Sequence, residues 1–206
     1  MSNQENGTQA YYENNAWSFI ERTLYLDMGE HYQRFLSKFR KAGRVLDAGC
    51  GSGRDAYAFK RLGYQVDAFD SSAEMVKSAR KLVGIDVQQT TFQAFKSEPV
   101  YDAIWAYASL LHVPYAELPL ALRNLSAALK TGGILFASFK LGDGEVTRED
   151  GRLFSMMTEE RFRSILQDVP DLRLEEARIT LRNKPTLSEE KWLILIALKT
   201  GGKPRN

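Results

Sequence analysis

Residues 45–53 read Val45-Leu46-Asp47-Ala48-Gly49-Cys50-Gly51-Ser52-Gly53, and seventeen positions after Gly53 the stretch Val66-Asp67-Ala68-Phe69-Asp70 closes on an acid. A short apolar strand runs into a glycine-rich turn, and a second short strand ends on a carboxylate. In an open α/β sheet this order lays a nucleoside across the carboxyl ends of the first two strands. Glycine removes the Cβ that would hold the backbone away from the ligand. The acid can accept hydrogen bonds from both ribose hydroxyls.

The glycine spacing separates two nucleosides. A dinucleotide fingerprint, G-x-G-x-x-G, asks for glycine at 49, 51 and 54. Position 54 is Arg54, and the third glycine is Gly53. In the fingerprint the third glycine lets the helix pack tightly and aim its N-terminus at a pyrophosphate. Arg54 is expected to obstruct that packing, which counts against an NAD-dependent oxidoreductase on a doubly wound sheet. A non-catalytic module that only binds the nucleoside is a second rival.

Bulk properties narrow the class. The chain has 206 residues, 44% hydrophobic and 26% charged, enough for one domain with its own core. A net charge of +2, from 28 basic and 26 acidic residues, gives no basic field for nucleic acid. The one cysteine, Cys50, permits no internal disulfide. No stretch approaches the roughly 20 apolar residues of a membrane span. The first residues lack a basic-then-apolar signal pattern. A cytoplasmic monomer or homodimer is expected, with no nucleic-acid or membrane partner.

Along the chain, residues 1–14 read as a mobile terminus and 15–40 as a helical cap, with Trp17, Ile20, Leu24, Met28, Tyr32, Phe35 and Phe39 at helical spacing. A single domain then runs to 199. Strands are expected at 44–48, 64–69, 85–91, 101–107 and 134–139, alternating with helices at about 53–62, after Ser71-Ser72, and at 115–129. Such alternation means a parallel sheet with helices on both faces. A charged, glycine-rich loop, 140–156, precedes a last helix and two consecutive strands, about 172–182 and 190–199. Strands joined without a helix pair antiparallel. Trp192 to Leu198 is apolar on both faces, so that strand is expected inside the sheet. Residues 200–206 read as a tail.

The loop 45–55, the segment Asp67-Ala68-Phe69-Asp70-Ser71-Ser72 and Tyr107-Ala108-Ser109-Leu110-Leu111-His112-Val113-Pro114 together resemble class I S-adenosylmethionine-dependent methyltransferases, over about residues 12–198. Within that class the chain looks most like small bacterial enzymes of the tellurite-resistance and type 11/12 kind, a likeness to which Arg54-Asp55 contributes. The resemblance implies a Rossmann-like α/β fold, a seven-stranded, mostly parallel sheet with a reversed last strand. It implies S-adenosylmethionine as cofactor, S-adenosylhomocysteine as product, and a small-molecule acceptor. Asp47, Gly49, Cys50, Gly51 and Gly53 are then expected to cradle the methionine part and Asp70 to hold the ribose. Ser71, Met75, Gln93 and Tyr107 are further candidates for cofactor contact, Met75 as a flexible thioether beside the purine. The class usually places an acid or amide after strand three, and Gln93 is the only such side chain in Phe92-Gln93-Ala94-Phe95.

Methyl transfer is an in-line displacement that needs alignment and, for some acceptors, a base. His112 is the expected base, since its ordinary pKa is near neutral, with Tyr107 beside it. Tyr12, Arg54, Lys140 and Arg152 are the expected substrate contacts, the last two for an anionic acceptor. The Asn/Asp-Pro-Pro-aromatic tetrapeptide of base-amine enzymes is missing after strand four, and no Pro-Cys nucleophile exists. Asp102 falls at the start of strand four, the wrong edge for a metal, so no metal is expected.

Overall fold

The computed structural model describes the backbone of residues 3–39, 41–184 and 187–201, and side chains within 7–39, 41–181 and 190–201. Two cap helices come first, α1 (Asn3–Thr23) and α2 (Gly29–Leu36). The alternating part follows: β1 (Arg44–Ala48), α3 (Arg54–Arg61), β2 (Gln65–Asp70), α4 (Ala73–Val83), β3 (Val87–Gln89), β4 (Tyr101–Ala106), a 3-10 turn (Leu110–His112), α5 (Leu118–Ala128) and β5 (Leu129–Lys140). A ribbon of β6 (Glu145–Thr147) and β7 (Leu153–Ser155) leads into α6 (Glu159–Leu166), and β8 (Leu172–Lys184) and β9 (Leu187–Lys199) end the fold.

The main sheet has seven strands in the order β3-β2-β1-β4-β5-β9-β8. The pairs from β3 to β5 are parallel, whereas β9 runs antiparallel to both β5 and β8. The expected reversed strand is therefore β9, inserted between β5 and β8. Its side chains from Trp192 to Ala197 are buried on both faces, as an interior strand requires. Strand alternation splits the core in two. Val45, Ala103, Trp105, Phe136 and Ile196 face α2 and α3, and Leu46, Ile104, Leu135 and Leu195 face α5 and α6. Trp105 is fully buried, stacked on Phe136 with ring centroids 4.2 Å apart.

Three local expectations change. The expected mobile terminus is helical from Asn3 onward, with a kink at Asn15. Apolar periodicity is a poor guide there because α1 is held by polar contacts, and Trp17, one of the apolar residues at helical spacing, is 74% exposed. The 140–156 loop contains the β6–β7 ribbon, which adds no strand to the main sheet. Most of the 200–206 tail lies outside the described residues, but the Thr200 amide donates to the Asp171 carbonyl at 2.8 Å.

Candidate active site

The glycine loop leaves β1 at the carboxyl edge of the sheet. Gly49 and Cys50 both donate their amides to the Phe69 carbonyl at 2.9 Å, which fastens the loop to the end of β2. Asp70 Oδ2 accepts from the Gly51 amide at 2.8 Å and Oδ1 from the Ser72 amide at 3.0 Å. Burial pushes the Asp70 carboxyl up, and these amides draw it back. One Asp47 oxygen accepts from the Ala56 amide at 3.0 Å, tying β1 to the first turn of α3. Burial, with Asp55 nearby, holds the Asp47 carboxyl well above its ordinary range.

The three glycines do different work. All have positive φ, which L side chains rarely adopt. A Cβ on Gly49 would meet Ser109 Cβ at 2.5 Å, and one on Gly51 would meet nothing nearer than Phe19 at 3.9 Å. At Gly53 it would strike Val83 and Ala79 of α4, at 2.8 and 2.9 Å. Gly53, expected among the cofactor contacts, thus serves helix packing. That is the task the dinucleotide fingerprint gives its third glycine, moved one position earlier. Arg54 does not obstruct it, because its guanidinium turns away to Asp55 and the Thr23 carbonyl.

Arg54 is therefore not an acceptor contact in this structure. Asp55, 7% exposed, also accepts from the Tyr32 hydroxyl at 2.5 Å and from Trp105 Nε1 at 2.8 Å. The pair locks both cap helices to the start of α3. Cys50 is likewise not a thiol contact: it packs beside the α3–α4 cluster, and burial pushes the thiol up. Met75 is 1% exposed, a core side chain of α4. Gln93 turns its amide to Glu117 Oε2 at 2.6 Å. The Ser71 carbonyl accepts from Gln9 and Gln89, at 3.3 and 3.4 Å.

Opposite the glycine loop lies a second cluster. Ala108 has a positive φ of 53°, a strained non-glycine conformation that turns the chain sharply after β4. Ser109 then donates to the Ala48 carbonyl at 2.7 Å. His112 Nδ1 lies 2.7 Å from the Leu153 carbonyl and Nε2 lies 2.9 Å from the Tyr12 hydroxyl. A carbonyl only accepts, so Nδ1 carries the proton, and Nε2 accepts from Tyr12. Burial lowers the His112 pKa to about 4, helped by the Arg152 and Lys140 charges. Burial pushes the Tyr12 phenol up to about 12, against the pull of Arg152. Both groups are neutral at neutral pH.

Arg152 pairs with Asp150 at 2.6 Å and lies over the Tyr11 ring, 4.0 Å from its centroid. Lys140, 8% exposed, pairs with Glu190 and sits 4.5 Å from the Phe154 centroid. The structure thus brings Tyr12, His112, Lys140 and Arg152 together. Tyr107 is not part of this group. It stacks on Trp105 and Trp192 and touches His31, on the α2 side of the sheet. The odd-even alternation of β4 carries through to Tyr107 and sends it to the Trp105 face. Asp102 sits at the opposite edge, accepting from the Arg44 amide and paired with Lys130.

Some site residues carried no signal in the sequence. Glu13 accepts from the Ala73 and Glu74 amides at 2.6 and 3.2 Å, so α1 covers the N-terminus of α4 beside Asp70. Phe19 faces Gly51, and Phe154 packs edge-on to His112 with centroids 4.9 Å apart. All three lie in segments read as terminus, cap or loop.

The fold is that of the class I methyltransferases. Residues 45–133 match the family described as methyltransferase domain. The chain is 42% identical over 103 residues to a ubiquinone biosynthesis O-methyltransferase of Xanthomonas campestris pv. campestris, a match covering 46% of this chain and 42% of that one. The match thus takes in less than half the length of that curated relative. Among solved structures it is similar to the 1,6-didemethyltoxoflavin-N1-methyltransferase of Burkholderia thailandensis, solved with 1,6-didemethyltoxoflavin and S-adenosylhomocysteine. That likeness has a TM-score of 0.74 at 20% identity and covers 93% of this chain and 88% of the other. It is also similar to the magnesium protoporphyrin IX methyltransferase of Synechocystis PCC 6803, solved with S-adenosylmethionine, at a TM-score of 0.68 and 18% identity over 97% and 98% of the two chains.

Among the described residues no helix is long and apolar enough to cross a membrane.

Proposed function

We propose that the protein is an S-adenosylmethionine-dependent methyltransferase acting on an oxygen of a small molecule. The observation that carries the reading is the Asp70 carboxylate, fastened by the Gly51 and Ser72 amides beside an open glycine turn. This cradle fits a ribose and a methionine chain laid along the loop. Asp47, Gly49, Gly51, Asp70 and the Ser71 main chain would hold the cofactor. Bound there, S-adenosylmethionine would supply an activated, electrophilic methyl group.

The chain's own part is to orient and exclude water. His112 Nε2 presents a lone pair where a hydroxyl already lies, that of Tyr12. An acceptor hydroxyl in its place would find a partner for its proton. Lys140 and Arg152 flank that position. Oxygen is favoured as acceptor atom by the name of the curated relatives. A metalloid acceptor of the tellurite-resistance kind has less support, because the Arg54-Asp55 pair that suggested it is engaged with the cap helices. The reading includes a cytoplasmic monomer or homodimer without a nucleic-acid partner.

Titration calorimetry with S-adenosylmethionine, S-adenosylhomocysteine and NAD tests this. Micromolar binding of the first two and none of NAD is expected. Binding of NAD alone overturns the reading.

A further inference from the structure

Three cations converge on one buried ring. Phe154 is 5% exposed, and its centroid lies 4.5 Å from Lys140 Nζ, 4.7 Å from Arg148 Cζ and 5.3 Å from Arg152 Cζ. They come from the end of β5 and from the turn joining β6 to β7. Two carboxylates answer them, Glu190 on Lys140 and Asp150 on Arg152. Arg148 has no carboxylate within ion-pair distance among the described residues, and Asp150, already paired with Arg152, is the acid whose charge it feels. Glu145 is turned away, accepting from the Tyr115 amide and from Ser155. His112 and Tyr12, the other polar groups at the cluster, are neutral. Like charges gathered at a partly desolvated site repel one another unless an anion joins them.

The cluster is one ring away from the reacting position. His112 contacts one edge of Phe154, and the cations surround the same ring. A planar acceptor whose hydroxyl takes the place of the Tyr12 hydroxyl at Nε2 would lie along Phe154, with its far substituent toward the arginines. Tyr11 and Trp192 add aromatic surface, under Arg152 and beside Lys140.

We propose that the acceptor is a hydroxylated aromatic carboxylate, its hydroxyl on His112 and its carboxylate on the cations around Phe154. This rests on the methyl-transfer reading and adds the substrate class to it. Charge-assisted, bidentate contacts with arginine are the strong way to hold a carboxylate. A neutral ester of the same shape loses them and leaves three cations with the two carboxylates of Glu190 and Asp150.

The test is calorimetry of the S-adenosylhomocysteine-loaded protein with 2-, 3- and 4-hydroxybenzoate and their methyl esters. At least one acid is expected to bind about tenfold or more tighter than its ester, with the preference shrinking as salt rises. Arg152→Gln should remove that preference. Arg148→Gln should reduce it several-fold, and because Arg148 is exposed, with no carboxylate within ion-pair distance among the described residues, this variant is expected to fold even if the other does not. An ester that binds as tightly as its acid overturns the proposal, and so does failure of all three acids in a protein that takes S-adenosylhomocysteine. A protein that takes no S-adenosylhomocysteine breaks the methyl-transfer reading instead. The same titrations into the protein alone then still decide the anion site.

Discussion

The two ends of the site are built from different materials. The proposed cofactor end is made of main chain: loop amides on the Phe69 carbonyl and on Asp70, glycines at positive φ, and two acids, Asp47 buried and Asp70 half-buried. The acceptor end is made of side chains from α1, the turn after β4, the end of β5, the β6–β7 ribbon and β9, and its charges are mainly positive. A backbone cradle depends on local geometry and tolerates few sequences. A side-chain cluster depends on how distant segments pack and can change residue by residue. The contrast teaches that, on the proposed reading, one end would fix the nucleoside and the other would be free to choose the acceptor.

Substitutions can break that contrast. The largest effect is expected at Gly53. Gly53→Ala adds a Cβ in a left-handed conformation against Val83 and Ala79, and about 3 kcal/mol of stability should be lost in denaturant unfolding. Full stability would mean that α3 and α4 separate readily and that Gly53 belongs to the ligand after all.

At the acceptor end the expected effect depends on pH. His112 titrates near 4 in the folded chain against an ordinary 6.5. Between those values the unfolded chain binds more protons, so stability rises with pH through this window and falls as pH drops from 6.5 toward 4. The loss is on the order of 2–3 kcal/mol, and His112→Gln should flatten it in a series of unfolding curves. An unchanged slope would show that His112 is solvated and charged, and the neutral acceptor nitrogen would be gone.

At the cofactor end Asp70→Ala should weaken S-adenosylhomocysteine binding by about 2 kcal/mol, the scale of hydrogen bonds to a charged group. Unchanged affinity would reduce Asp70 to a loop fastener. The smallest stability effect belongs to Gly51→Ala, about 1 kcal/mol from its positive φ, since a Cβ there meets no atom closer than 3.9 Å. Its affinity for S-adenosylhomocysteine should nevertheless drop, which sharpens the difference from Gly53.

How much of this was legible in the residues follows the same division. Val45 to Gly53 and Asp70 could be read directly, because strand, turn and acid are local and their spacing is set by backbone geometry. The interior position of Trp192 to Leu198 could be read from its unbroken apolar run. The roles of neighbouring residues were harder. Gly53 is set apart from the proposed ligand contacts by the α4 side chains against it, Met75 by its burial within α4, and Gln93 by the nearness of Glu117. Sequence proximity puts Tyr107 beside His112, whereas strand alternation carried past Ala106 sends it to the Trp105 face. The docking of α1 was hidden, since Gln9, Tyr12 and Glu13 act through hydrogen bonds that leave no apolar period.

The sequence by itself determined the sheet class, the glycine turn after the first strand and the acid that faces it, because short-range geometry demands glycine and carboxylate there. Only the tertiary structure decided that Tyr12 meets His112, that Arg54 serves the cap, and that Lys140, Arg148 and Arg152 share one phenylalanine. Tyr12 and His112 are 100 residues apart, and Thr8 and Leu153 in the same seam are 145 apart. Nothing in a linear pattern encodes which side chains long-range packing will bring to one point.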